Sequence, residues 1–436
     1  MIVCLAVVFL FWLVFGINRR SIRNYRRRHH LLQARMQAED TEPLQRLLFS
    51  NSHTMRVEPR FRPLAMLLAK NGRPTASTSE QEIIISGRRK RDLLIGDILN
   101  AKESIHMEYF HFGIDKSSRR IRRLLMAKAQ QGVKVRFINE NIANFPVPYF
   151  YFRLMKRAGV EVVNFSHTPL SPIRFLLTLS YRDHRKIVVI DNRIGYTGGM
   201  NINEHYFYQW RDTHLRLTGE AVASLQYAFL DTWLAAGGQI NSAVNSFFHL
   251  ETPSCGLPSG TLTQITPDDP TSPEPVLQTA YEWILNHAQK YVWFQSPYLA
   301  PPPSLLNAIR NATQRGVDVR VMVSEQCDTA LMRPINKSFY ADFIDAGAKL
   351  LLRSGEFMHS KTIVCDDYLS CVGSTNLDNR SFSINYEINT FFYDREVALQ
   401  QKRIFEADLP ICRLLSADEA RPTPWQRFMR HLAPIV

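Results

Sequence analysis

No CxxC pair occurs among the six cysteines of this chain (Cys4, Cys255, Cys327, Cys365, Cys371 and Cys412), and none stands beside a histidine at metal-ligand spacing. That absence argues against both a disulfide framework and a zinc site, and it fits a reducing compartment. Acidic charge is the second shortage. Forty Asp and Glu against 53 Lys and Arg leave a net charge of +13, which favours anionic partners, nucleic acid or acidic lipid, without choosing between them. Charge of either sign is missing from Met1 to Ile17, and no acidic residue interrupts the arginines that follow: Arg19, Arg20, Arg23, Arg26, Arg27, Arg28 and Arg35. The segment also lacks the positive leader and small-residue cleavage site of a removable signal peptide. At about 1.5 Å per residue the apolar run spans roughly 25 Å, enough to cross a bilayer core of about 30 Å with local thinning. It predicts an uncleaved transmembrane anchor over residues 1–18. The basic stop behind it places the rest of the chain on the cytoplasmic side of the inner membrane, against an anionic lipid surface.

What is present in full measure is length and apolar content: 436 residues, 45% hydrophobic and 21% charged, enough for two domains or two fused halves. Residues 19–80 contain Pro59, Pro63, Pro74 and the run Ser77 to Ser79, and read as a basic juxtamembrane spacer and linker. A βαβ order starts near Ile83: a short β-rich run to Ile85, a helical pattern from Lys90 to Ala101, a strand from Ser104 to Phe112, a helix from Ser117 closed by Gly132, and a strand from Val133. The same order returns from Leu262, with helical patterns at Val276 to Ala288 and Ser304 to Arg315, a strand from Tyr291 to Tyr298, a closing Gly316 and a strand from Val317. AKAQQGVKVRFINE (127–140) and NATQRGVDVRVMVSE (311–325) show the register. An internal duplication is predicted, with halves at 81–250 and 276–436 joined by a Pro-rich connection at 251–275.

The chemistry sits at matching places in the two copies. YRDHRKIVVIDNRIGYTGGMN (181–201) and FMHSKTIVCDDYLSCVGSTN (357–376) each hold His-x-Lys, then Asp five residues after the lysine, Gly fourteen after the histidine and Asn seventeen after it. Residues two apart on a strand share a face, so His184 with Lys186, and His359 with Lys361, point into one cleft. Asp212 and Glu387 each lie 28 residues after a histidine. Each histidine thus has a carboxylate at one shared offset, able to hold a ring nitrogen and stabilise the imidazolium. One His-x-Lys is a common surface accident; two copies sharing five offsets identify a catalytic set, His184, Lys186, Asp191, His359, Lys361 and Asp366. Within it Asp191 and Asp366 are expected to stabilise the local turn and neighbouring backbone. Asn201 and Asn376, with Ser374, Asp212 and Glu387, form the supporting group. The copies differ where Gly199 stands opposite Ser374.

These paired stretches resemble the HKD motifs of the phospholipase D superfamily, over most of the chain from about Ile83 to Tyr393. HRKIVVIDNRIGYTGGMNI (184–202), WRDTHLRLTG (210–219), FQSPYL (294–299) and HSKTIVCDDYLSCVGSTNLDNRSF (359–382) look like the bacterial cardiolipin synthases. The resemblance implies an α/β fold: a pseudo-dimer of two phospholipase D-like α/β/α sandwich half-domains whose motifs meet at one site. It implies a phosphatidyltransferase that moves a phosphatidyl group from phosphatidylglycerol to a second phosphatidylglycerol, releasing glycerol, through a phosphohistidine. His184 is then the nucleophile and His359 the general acid and base, while Lys186, Lys361, Asn201 and Asn376 hold the non-bridging oxygens. No metal and no cofactor is required. The partners expected are a phospholipid substrate and the membrane, with no nucleic acid. Segments 146–159 and 171–182 mix aromatic or aliphatic residues with Arg and Lys and are candidates for interfacial contact, or equally ordinary amphipathic or core helices. Water as acceptor would make the protein a hydrolase. A nuclease would use the same histidines, and a scaffold would have no need of the intact motif residues.

Overall fold

The computed structural model describes residues 31–39, 41–50, 52–70, 74–144, 147–165, 181–249, 260–272 and 274–433. The predicted anchor at 1–18 and its arginine cluster up to Arg28 lie outside the described residues, as does most of the 171–182 segment. Among the described residues no helix is long and apolar enough to cross a membrane.

Among the described residues fifteen strands form one continuous sheet. The first half supplies β1 (Ala76–Ile84), β2 (Ser104–Tyr109), β3 (Lys134–Asn139), β4 (Glu161–Asn164), β5 (Lys186–Ile190), β6 (Ile194–Gly198) and β7 (His214–Gly219). The second supplies β8 (Thr261–Asp268), β9 (Tyr291–Gln295), β10 (Leu299–Ala300), β11 (Asp318–Ser324), β12 (Lys349–Arg353), β13 (Thr362–Cys365), β14 (Leu369–Gly373), β15 (Leu377–Asp378), β16 (Glu387–Tyr393) and β17 (Cys412–Leu414). From one edge the order is β4-β3-β2-β5-β6-β7-β1, then β8-β16-β14-β13-β9-β11-β12-β17, while β10 and β15 pair separately. Read outward from the β1–β8 contact, the two halves repeat the same order. In each half the three outer strands of the repeat are parallel and the inner ones antiparallel. The predicted duplication therefore appears as two copies of one topology.

The helices predicted from the pattern form at Gly87–Asn100, Lys116–Gln130, Val276–His287 and Pro303–Gln314. Gly132 and Gly316 close two of them at φ of 94° and 86°, the left-handed conformation that glycine adopts without a steric penalty. The halves meet across β1 and β8, where Thr78 Oγ1 donates to Thr263 Oγ1 at 2.8 Å. One core cluster spans this seam. It joins the helix Ala221–Ala235, buried nearly all round, to Val372, Ile388 and Phe392 of the second half.

Three boundaries differ from expectation. Residues 31–70 are not a bare spacer. Leu32, Met36, Leu44 and Leu48 are packed in the seam cluster, and Phe61, Leu64 and Leu68 in the core of the second half. Their spacing of three and four residues presents one apolar face to each half. Strand β1 begins at Ala76, inside the Ser/Thr-rich stretch read as linker, and β8 extends the short strand expected from Leu262 over Thr261–Asp268, inside the stretch read as the connection. Both strands are hydrogen-bonded on both sides, so polar side chains do not exclude them from the sheet.

Candidate active site

His184 and His359 each stand two residues ahead of the lysine that opens β5 or precedes β13, and each is tied to the opposite half by a short parallel bridge. His184 N–H donates to Tyr386 C=O at 2.9 Å and Tyr386 N–H to Arg182 C=O at 2.8 Å. The counterpart runs from His359 N–H to Arg211 C=O at 2.7 Å and from Arg211 N–H to Phe357 C=O at 2.9 Å. The next residue after Tyr386 is Glu387, and the next after Arg211 is Asp212. The bridges therefore deliver each carboxylate to the histidine of the other half.

That corrects the pairing the shared 28-residue offset implied. His184 Nδ1 lies 3.0 Å from Glu387 Oε1 and Oε2, and His359 Nδ1 lies 2.8 Å from Asp212 Oδ2. Both carboxylates are fully buried. Burial pushes them up, but the neighbouring lysine charge and the hydrogen bond to the histidine ring outweigh it and hold both below the usual carboxylate range. Burial also pushes both histidines down to about 4, so each is a neutral imidazole at neutral pH. For His184 an ionised carboxylate beside a neutral ring assigns the proton to Nδ1 and leaves the Nε2 lone pair available, whereas His359 Nδ1 lies 2.8 Å from both Asp212 Oδ2 and Lys361 Nζ.

Lys186 Nζ donates to His184 C=O at 2.5 Å, and Lys361 Nζ donates to His359 C=O. Burial brings Lys186 down to about 7 and Lys361 down to about 8, with Glu387 and Asp212 respectively opposing the fall. The charge of Lys361 also lowers Lys186, so the two lysines feel one another across the seam. A phosphate between them would relieve that repulsion. Asn201 accepts from His111 N–H at 3.1 Å and donates to Tyr206 OH at 2.9 Å, while Asn376 Oδ1 is buried without a hydrogen bond.

Asp191 and Asp366 stand apart from the two histidines. Strand β5 separates Asp191 from His184, about 20 Å at 3.3 Å per residue. Its carboxylate accepts from the backbone N–H groups of Lys102, Glu103 and Ser104 at 2.8–2.9 Å. Asp366, at the far end of β13 from His359, accepts from Gln289, Lys290 and Tyr291 N–H at 2.8–2.9 Å. Both occupy hairpin turns at φ of 50° and 51° and pin the turn to the neighbouring strand.

The Gly199/Ser374 difference has a steric origin. A Cβ at Gly199 would stand 2.2 Å from Asp212 Oδ1, whereas Ser374 Oγ donates to Glu387. Sequence reading missed three further groups. Lys90, fully buried, donates to Met200 C=O at 2.8 Å and fixes the backbone at Asn201. Arg185 Nε donates to Glu387 C=O at 3.0 Å. Arg211 bonds Ser360 Oγ at 2.8 Å and Asp408 at 3.1 Å. For Arg185 and Arg211 the available signal was position: each is one residue from a candidate.

A sequence family described as "Cardiolipin synthase, PLD-like domain" matches residues 94–233 and 282–409. The major cardiolipin synthase ClsA of Bacillus subtilis is 32% identical over 98% of this chain and 90% of its own. A cardiolipin synthase of Listeria monocytogenes is 34% identical over 85% of this chain and 78% of its own. Among solved structures, the phosphatidylserine synthase of Haemophilus influenzae superposes with a TM-score of 0.65 at 16% identity, covering 88% of this chain and 98% of the other, a likeness of fold. With a duplicated sheet, two His-x-Lys motifs at its seam and these relatives, the chain belongs to the cardiolipin synthase family of phospholipase D-like enzymes.

Proposed function

We propose that this enzyme condenses two molecules of phosphatidylglycerol into cardiolipin and glycerol, with one site formed by both halves. The observation that carries the reading is the crossed pair of histidine–carboxylate couples, with a buried lysine beside each ring. In the first step Nε2 of one histidine attacks phosphorus, a P–N bond forms, and the P–O bond to glycerol breaks. The other histidine gives its proton to the departing oxygen; the bound phosphodiester anion raises that ring's pKa so that it carries one. In the second step the same histidine takes the proton of the acceptor hydroxyl, the new P–O bond forms and P–N breaks. Following the resemblance, His184 is the nucleophile and His359 the acid and base. Lys186, Lys361, Asn201 and Asn376 surround the non-bridging oxygens, where developing charge is best stabilised by fixed donors.

A lipid surface is the natural setting. Helix Tyr149–Arg157 buries Tyr151 and Met155 and exposes Phe150, Arg153, Leu154, Lys156 and Arg157, an apolar and basic face suited to anionic headgroups. An anchor at 1–18, with the catalytic halves on the cytoplasmic side of the inner membrane, completes the proposal. Nucleic acid is the less favoured substrate, because tethering at a bilayer would bring the site no nearer to it.

Incubating detergent-solubilised full-length protein with labelled phosphatidylglycerol tests the reading. Cardiolipin with free glycerol supports it; phosphatidic acid alone makes the enzyme a hydrolase and overturns it.

A further inference from the structure

The duplication lets each residue near one histidine be compared with its partner near the other. His184 and His359 are 175 apart, and the same difference relates Asp212 to Glu387 and Asn201 to Asn376. Applied around the two rings, it exposes an asymmetry at three positions. Around His359 stand Phe357 and Trp210, with His205 stacked on Trp210; the residues 175 positions away from these three are Arg182, Asn385 and Arg380. The aromatic side is a cage, with Trp210 and Phe357 centred 5.6 and 6.0 Å from the His359 ring. At these three positions the His184 side has two arginines and an asparagine instead, while Phe110 stands 5.0 Å from the His184 ring.

These arginines are built into the site. Arg380 Nε donates to Asn385 Oδ1 at 3.3 Å, and Asn385 Nδ2 donates to Glu387 Oε1 at 3.2 Å, the carboxylate that holds His184. Arg182 NH1 bonds Glu140 Oε2 at 3.4 Å, and its carbonyl closes the bridge to Tyr386. Burial, and after it the charge of Arg182, pushes Arg380 down to about 10. Through the Tyr386 N–H bond to the Arg182 carbonyl and the Arg380 bond to Asn385, both arginines border the one turn at 385–387, with Glu140, Asp378 and Glu387 as acidic groups facing Arg380. Two guanidinium groups bordering one turn repel each other, and an anion held by both offsets that repulsion.

The reaction has a use for such an anion. Its acceptor differs from water or glycerol in carrying a phosphodiester of its own, one glycerol length from the hydroxyl that reacts, and the product retains both phosphates. We infer that Arg182 and Arg380 form a second phosphate subsite, which holds the phosphodiester of the acceptor lipid and so selects phosphatidylglycerol over phosphate-free alcohols and water. The Lys186–Lys361 pair holds the phosphate that reacts; the arginine pair holds the one that does not. This inference rests on the phosphatidyl-transfer reading.

The experiment compares two acceptors in the full-length protein. Exchange of labelled free glycerol into phosphatidylglycerol needs an acceptor without phosphate, whereas cardiolipin formation needs one that carries it. Arg182→Gln and Arg380→Gln are expected to lower cardiolipin formation at least tenfold and glycerol exchange less than threefold, with phosphatidic acid rising as water replaces the lost acceptor. Arg380→Lys, which keeps the charge, should recover part of the cardiolipin activity. In the wild type, inorganic phosphate should inhibit cardiolipin formation more than exchange. Equal losses of both activities in the Gln and Lys variants at unchanged melting temperature, or no loss in any of them, would overturn the subsite. A wild-type enzyme that exchanges glycerol but makes no cardiolipin would instead overturn the function on which it rests.

Discussion

At the scale of single residues the crossed carboxylates decide what each histidine can do. Glu387→Gln removes the ionised partner of His184 while keeping its size; kcat should fall on the order of 10²-fold or more. NMR titration should show the His184 ring moving further below about 4 while His359 stays in place; a shift at His359 instead would return the pairing to a single half. The lysines set a second expectation. In the empty site they lose their protons near 7 and 8, so kcat/KM should decline as pH rises through that range. A bound phosphate favours the ammonium form, so the alkaline limb of kcat should lie at higher pH. Coincident limbs would separate the lysines from phosphate binding. The histidines, lysines and asparagines were legible because they repeat at fixed spacing. Which carboxylate serves which ring was not, since an offset repeated in both copies is satisfied equally by pairing within a half or across the seam.

At the scale of elements, the hairpin turns β5–β6 and β13–β14 depend on the aspartates that sequence spacing grouped with the catalytic residues. Asp191→Ala or Asp366→Ala frees three backbone donors each and should destabilise the fold by about 3 kcal/mol. The activity of the protein that remains folded should change less than tenfold. Denaturant melts with activity normalised to folded fraction distinguish this from a chemical role, which would abolish turnover without moving the midpoint. The helices and the apolar strands were readable from periodicity and closing glycines. Strand β1 was not: ASTSEQEII has the composition of a linker, and only pairing with β7 and β8 makes it an interior strand at the seam. The helix Ala221–Ala235 escaped for the opposite reason, since a segment buried on nearly every side, with Ser224, Gln226, Asp231 and Thr232 buried too, has no stripe to detect.

At the scale of the whole molecule, the sheet runs unbroken through the seam and one hydrophobic cluster draws on both halves. Residues 31–70 add packing to each. Heat should therefore unfold the halves together, in one calorimetric transition, whereas two resolved transitions would mean that each half is stable alone. Expressed separately, residues 1–250 and 251–436 should each lack turnover, because each histidine would be missing its carboxylate; co-expression should restore activity. Turnover by either half alone would dispose of the shared site.

The bridges that carry Tyr386 to His184 and Arg211 to His359 are made only when the halves have docked. A half that has folded alone, or one still emerging from synthesis, holds a histidine without its counterion and a lysine without its opposite. Reactivity toward phosphodiesters is thus a property of completed assembly, and the membrane in which the substrate is dissolved is spared an unfinished enzyme. The same arrangement couples the two copies in descent: loss of a carboxylate in either one disarms the histidine of the other, so neither repeat is free to drift.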